Sequence, residues 1–185
     1  MRRISGLVLA ASLLLPVSSA RAAEVTHIYT NNQFANATST DGAGNTIGVF
    51  VTREKGKGAP RDSIAVIVSD AFGNTSIISG VLPKNAFKVS AKKASVDVDI
   101  DDIDVTFSMG TLPDGVISVD WAATDVTRTS GSTKFEFGNT KVNIVGTSTS
   151  SPANVTGSVL GTELVAPTGD LSLAHDSVII HVSNE

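Results

Sequence analysis

Thr133-Lys134-Phe135-Glu136-Phe137-Gly138-Asn139-Thr140-Lys141-Val142-Asn143-Ile144 decides the fold class of this chain. Two runs of β-favouring residues flank Gly138-Asn139, a two-residue turn signal. Folded about that turn, Phe135 faces Val142, Thr133 faces Ile144 and Glu136 sits opposite Lys141. One face is then apolar and the other carries a cross-strand ion pair. A slip of one residue breaks both patterns at once, so the register is well specified.

The chain around this hairpin has the same character. Val, Ile and Thr are abundant, there are 16 glycines, and turn residues recur at short intervals with no long window of helical period. Ser63 to Val68 and Ile77 to Leu82 make a second hairpin through Ala71-Phe72-Gly73-Asn74, in which Val68 faces Ile77, Ile67 faces Ile78 and Ile64 faces Val81. Both faces of that pair are apolar, as in a strand from the middle of a structure. Further strands are expected at 33–40, 46–52, 88–92, 95–100, 105–108, 116–123, 155–160 and 177–182. The expected architecture is all-β: an antiparallel β-sandwich of immunoglobulin-like or jelly-roll-like kind, or a flattened barrel, with about ten short strands. No internal repeat and no long linker divides the chain. The stretch Arg53-Glu54-Lys55-Gly56-Lys57-Gly58-Ala59-Pro60-Arg61 reads as a flexible, solvated connection.

The N-terminus has the three parts of a secretory signal. Arg2 and Arg3 are the basic start, Ile4 to Val17 the apolar stretch, and Ser18-Ser19-Ala20-Arg21-Ala22 the small-residue end. The apolar stretch is about 14 residues, whereas a permanent membrane span takes roughly 20. Cleavage is expected after Ala22, leaving residues 23–185 as a single β domain in the periplasm or outside the cell, with no stable membrane insertion. Three of the 14 basic residues leave with the signal, so 11 face 18 acidic ones, a net charge of −7. That charge argues against nucleic acid as a partner. The chain has no cysteine, so neither disulfides nor thiolate metal sites are available to it, and packing and strand pairing must hold the fold.

Five carboxylates crowd one segment: Asp97, Asp99, Asp101, Asp102 and Asp104. In an extended strand Asp97, Asp99 and Asp101 share one face, and with help from a loop such a row could hold calcium. The residue after Asp101-Asp102 is Ile103, where an EF-type loop needs glycine. An acidic solvent face that discourages strand-edge aggregation is the commoner outcome. Lys84, Lys88, Lys92 and Lys93 lie just upstream and are expected to neutralise the acids across paired strands. Apart from that calcium option, no cofactor is expected.

Trp121 is the only tryptophan, and Ile117, Val119, Trp121 and Ala123 share one strand face, so Trp121 belongs to the core rather than to a sugar-stacking platform. His27, His175 and His181 would suit a three-histidine metal site only if the terminal strands pair. No nucleophile elbow, dinucleotide fingerprint or phosphate loop occurs. The Thr-Ser-Thr triplets at 38–40 and 147–149 lack the regular repeat that an ice-binding array requires, and read as ordinary strand residues.

Gly48-Val49-Phe50-Val51, Ser63 to Val68, Gly80-Val81-Leu82-Pro83 and Val116 to Trp121 with Arg128 after it give the chain an order that resembles a loose group of small secreted bacterial β proteins. The group has no established activity, so the resemblance implies a fold and an address and transfers no functional residues. The expected function is non-enzymatic: binding or assembly at the cell envelope or outside it, of adhesion or matrix type, with a protein or polysaccharide partner. The alternatives are a hydrolase or metal-dependent enzyme whose site is built from separated strands, and a calcium-stabilised binding module.

Overall fold

A computed structural model describes residues 24–55 and 61–182. The secretion signal and its cleavage site lie outside the described residues, as do 56–60 of the connection and the last three residues. The strands are Glu24–Thr40 (β1), Thr46–Lys55 (β2), Arg61–Ser69 (β3), Thr75–Val81 (β4), Phe87–Val89 (β5), Lys93–Asp99 (β6), Asp104–Met109 (β7), Val116–Ala123 (β8), Thr127–Phe137 (β9), Thr140–Val159 (β10), Thr162–Glu163 (β11) and Thr168–Val182 (β12). All pairings are antiparallel and form one sheet, in the order β5-β6-β8-β10-β12-β1-β2-β3-β4-β7, with β9 and β11 added on β10. The sheet does not close, so the all-β fold is a single open sheet whose ends face each other across one core.

The core shows how the sheet folds over. Ala35, Ala37, Val49, Val51, Ile64 and Val66 from β1, β2 and β3 form one apolar cluster with Phe87, Val96, Ile117, Val119, Trp121 and Val155 from β5, β6, β8 and β10. Burying an aliphatic side chain of this size stabilises by about 1.5–3 kcal/mol. Two side chains fasten the layers. Trp121 is 1 % exposed, and its indole N–H donates to the main-chain oxygen of Asn36. Arg53 on β2 binds Asp62 on β3 through two hydrogen bonds of 2.6 and 2.7 Å, donates to the Phe87 carbonyl on β5 and lies over the Phe87 ring.

Strand β10 has 20 residues and serves two neighbours along one edge. Its first half pairs with β9 as far as Ser150, and its second half pairs with β8 from Ala153 onward. Pro152 sits at the gap between the two partners, a position on the ladder where its missing N–H breaks no bond to either.

The hairpin of 133–144 forms in the expected register, with Phe135 opposite Val142, Thr133 opposite Ile144, and Glu136 opposite Lys141 at 3.4 Å. The second hairpin differs by one residue: Ile67 pairs with Ile77, Val66 with Ile78 and Ile64 with Gly80. The turn is the reason. Asp70 Oδ1 accepts from the main-chain N–H groups of Phe72 and Asn74, and Asp70 Oδ2 accepts from the Asn74 side chain, so Asp70–Asn74 forms a five-residue turn closed by Ser69 opposite Thr75. Asp41, Ala43 and Asn45 make the same arrangement between β1 and β2, with Thr40 opposite Thr46. The chain therefore does contain a short repeat, Thr40-Asp41-Gly42-Ala43-Gly44-Asn45-Thr46 and Ser69-Asp70-Ala71-Phe72-Gly73-Asn74-Thr75. Gly44 and Gly73 occupy the left-handed region in each, at φ 90° and 86°.

Two further expectations are corrected. Arg53, Glu54 and Lys55 continue β2 and Arg61 begins β3, because the Arg53–Asp62 pair draws this stretch into the sheet. The strand expected at 88–92 is shorter, Phe87–Val89, since the Ser90 hydroxyl and main chain turn the next residues back onto Lys93.

Candidate functional site

Buried side chains stop abruptly along the long strands. Ala35, Val51, Ser151 and Leu171 form the last row with a buried core face. Beyond it, residues 25–34 of β1, 140–150 of β10 and 172–182 of β12 contain no buried side chain, and β9 is exposed along its whole length. These segments remain paired row by row from Thr127–Ser150–Ser172–Phe34 out to Phe137–Thr140–Val182–Glu24. The result is a ribbon roughly 35 Å long at 3.3–3.4 Å per residue, four-stranded over its outer seven rows and flanked by β2 over its inner four, that projects past the core.

Its two faces differ. Thr133–Ile144–Val178–Ile28, Phe135–Val142–Ile180–Thr26 and Phe137–Thr140–Val182 are successive same-face rows at the outer end. Phe137 is 70 % exposed and stacks on Phe135, and Val142, Ile144, Val178, Ile180 and Ile28 are only half-buried. This is a continuous apolar patch on a sheet face over which none of the described residues packs, a feature that in soluble proteins marks interaction surfaces. The opposite face is mixed: it carries the ribbon's basic side chains Arg128, Lys134 and Lys141, the three histidines His27, His175 and His181, and Glu136 as its acid, interspersed with Val25, Tyr29, Val145, Leu173 and Ile179.

The ribbon also has two open edges. Among the described residues β9 pairs only with β10, and the Glu24–Thr30 part of β1 pairs only with β12, because β2 joins β1 from Asn31 onward. An edge of this kind presents free main-chain N–H and C=O groups to an incoming strand.

The terminal strands do pair, and all three histidines lie on the face opposite the apolar patch, yet they do not converge. His27 and His181 are diagonal neighbours, His27 stacks on Tyr29, and His175 lies four rows from His27, about 13 Å along the strands. A shallow depression beside Ile100 and Ile103 and another beside Trp121 are not lined by any histidine.

The acidic run does not form the expected row. β6 ends at Asp99, and Ile100–Asp102 turn as one 3-10 turn in which Asp99 Oδ1 accepts from the main-chain N–H of Asp101. Asp97 and Asp99 keep the outer strand face, while Asp101 and Asp102 leave it and Asp104 begins β7. Among the described residues no three histidine, aspartate or glutamate side chains gather as a metal-binding group. Lys88 faces Ser95 in the β5–β6 pair, and among the described residues none of the four lysines forms an ion pair with these acids.

No family model, curated protein or solved structure matches this chain. The ribbon must be read from its own chemistry. Sequence reading found its outer hairpin but not its extent, because 127–132 and 146–154 are Ser, Thr, Gly, Pro, Ala, Asn and Arg, with no apolar alternation. The usable signal was the length of polar, β-branched sequence on either side of a well-specified hairpin.

Proposed function

We propose that this is an exported, non-enzymatic protein that works by binding or assembly at the bacterial cell envelope or outside the cell, and that the projecting ribbon is the element that makes contact. The observation that carries this reading is the apolar face of Phe135, Phe137, Val142, Ile144, Val178 and Ile180, held out on strand segments that contain no buried side chain. A soluble domain has no stability reason to extend four strands past its core and to line one face with aromatic and branched side chains. The amino-terminal signal and the resemblance to small secreted β proteins support the address.

The test is to express the full chain in a bacterial host, identify the mature N-terminus, and measure retention of the processed protein on envelope material. The comparison is the double variant Phe135→Ser/Ile180→Ser, whose changes lie outside the core. Processing after Ala22 and a severalfold loss of retention in the variant are the expected results. Equal retention of both proteins overturns the role of the ribbon.

A further inference from the structure

We infer that the ribbon's partner is a second copy of this chain, joined edge to edge through antiparallel pairing of β9 with β9 about a two-fold axis at Ser132. This rests on the reading of the ribbon as the contact element. β9 is an open edge: eleven residues, all exposed, with no proline inside it and, among the described residues, only β10 paired beside it. A two-fold axis normal to the sheet keeps each face on its own side, so residue pairs across it must have matching parity along the strand. Centred on Ser132, the register uses the whole strand, Thr127 opposite Phe137 at both ends, and forms about ten to twelve new main-chain hydrogen bonds.

Charge selects that register. It places Arg128 opposite Glu136 of the other copy, twice, and Lys134 opposite Ser130. Shifting the centre by one residue to Gly131 sets Arg128 against Lys134, and shifting it to Thr133 leaves Arg128 without an opposing acid. On the other face, Thr129 meets Phe135 and Thr127 meets Phe137, pairs of β-branched and aromatic residues of the kind that stabilise cross-strand contacts.

The absence of cysteine makes the register directly testable. Opposed residues in an antiparallel pair have Cα atoms about 4.5 or 5.5 Å apart, within disulfide reach. The mature wild-type chain should be a dimer by light scattering, and Ser132→Cys should form a reducible intermolecular disulfide while Ser177→Cys, in the middle of the ribbon, does not. Arg128→Glu and Glu136→Arg should each weaken the dimer about tenfold or more, and the double reversal should restore it. Circular dichroism and Trp121 fluorescence verify folding of these surface variants. A monomeric wild type, a Ser177→Cys crosslink as efficient as that of Ser132→Cys, or a dimer indifferent to the charge reversals overturns the inference. If the wild type is monomeric yet Phe135→Ser/Ile180→Ser still abolishes retention, edge pairing alone is lost. If the dimer behaves as expected but retention ignores the ribbon face, the broader reading alone is lost.

Discussion

The indole of Trp121 on β8 reaches across Gly169 on β12 to donate its hydrogen bond to the main-chain oxygen of Asn36 on β1. Those strands are three steps apart in the sheet order, so one side chain ties together parts of the sheet that do not pair directly. The arrangement depends on Gly169 having no side chain. A Cβ there would run into the Asn36 carbonyl and the Val155 side chain and would sit 3.3 Å from the Trp121 ring. Gly169→Ala should therefore destabilise by about 2–3 kcal/mol or more, the scale of overpacking in a dense core. Denaturant unfolding followed by Trp121 fluorescence measures this, and a midpoint equal to that of the wild type would contradict it.

Arg53 and Asp62 form the second fastening, with side-chain exposures of 17 % and 9 %. The hydrogen bonds to Asp62 are the main reason the guanidinium is held charged more firmly than usual, against the opposing cost of burial. Removing either partner leaves a charge with little water around it, so Arg53→Met or Asp62→Asn should cost on the order of 3–5 kcal/mol. Removing both, as Arg53→Met/Asp62→Leu, should recover most of that loss, because a well-packed apolar pair can replace a buried ion pair. A double-mutant cycle from urea melts tests it, and strictly additive losses would rule out the coupling.

The twin turns give the protein an acid-sensitive end. The Asn45 side-chain hydrogen bond, helped by main-chain donors, holds the Asp41 carboxyl below its ordinary 3.8, and Asn74 does the same for Asp70. A carboxyl whose folded pKa is depressed contributes stability that is fully present above the unfolded value and is lost as pH falls through the folded one. Asp41→Ala and Asp70→Ala should thus lower the melting temperature at pH 7, and the gap to wild type should narrow once the pH drops below about 3.8. Thermal melts at pH 7, 4 and 2.5 measure the gap. A gap that stays constant across the series would show that the carboxylate charge is not the contributing feature.

How legible was this in the sequence? Phe135, Glu136, Lys141 and Val142 specified their register completely, because apolar and charged residues alternate across a two-residue turn. Ile117, Val119 and Trp121 likewise declared a buried face. Asp70 and Asn74 did not announce a five-residue turn to a reading based on apolar pairs, and a one-residue error in the second hairpin followed. The ribbon was hidden for a different reason. Period-2 alternation appears only where one face is buried, and Thr127 to Ser132 and Gly146 to Ser150 have solvent on both sides. Their strand state comes from pairing between strands, β9 with β10 and β10 with β12, which no local pattern records. The Asp97–Asp104 run failed as a row because a 3-10 turn at Ile100 interrupts the alternation that its apolar residues seemed to continue.

That interruption leads to a prediction about metal. With Asp99 capping the turn and Asp101 and Asp102 off the strand face, the run offers two same-face carboxylates, Asp97 and Asp99, roughly 6.5–7 Å apart, against the six to eight oxygens that calcium takes. A site filled at a hundred times its dissociation constant would add about 2.7 kcal/mol of stability. For a domain of this size that is a rise of roughly 5–10 °C in the melting temperature. Differential scanning calorimetry in millimolar calcium and in excess chelator should instead give midpoints within about 1 °C of each other, well below that linkage shift. A rise of several degrees that disappears in Asp97→Asn/Asp99→Asn would place an ion on β6 and support the calcium-stabilised reading. A rise that survives those substitutions would place the ion elsewhere on the acidic surface.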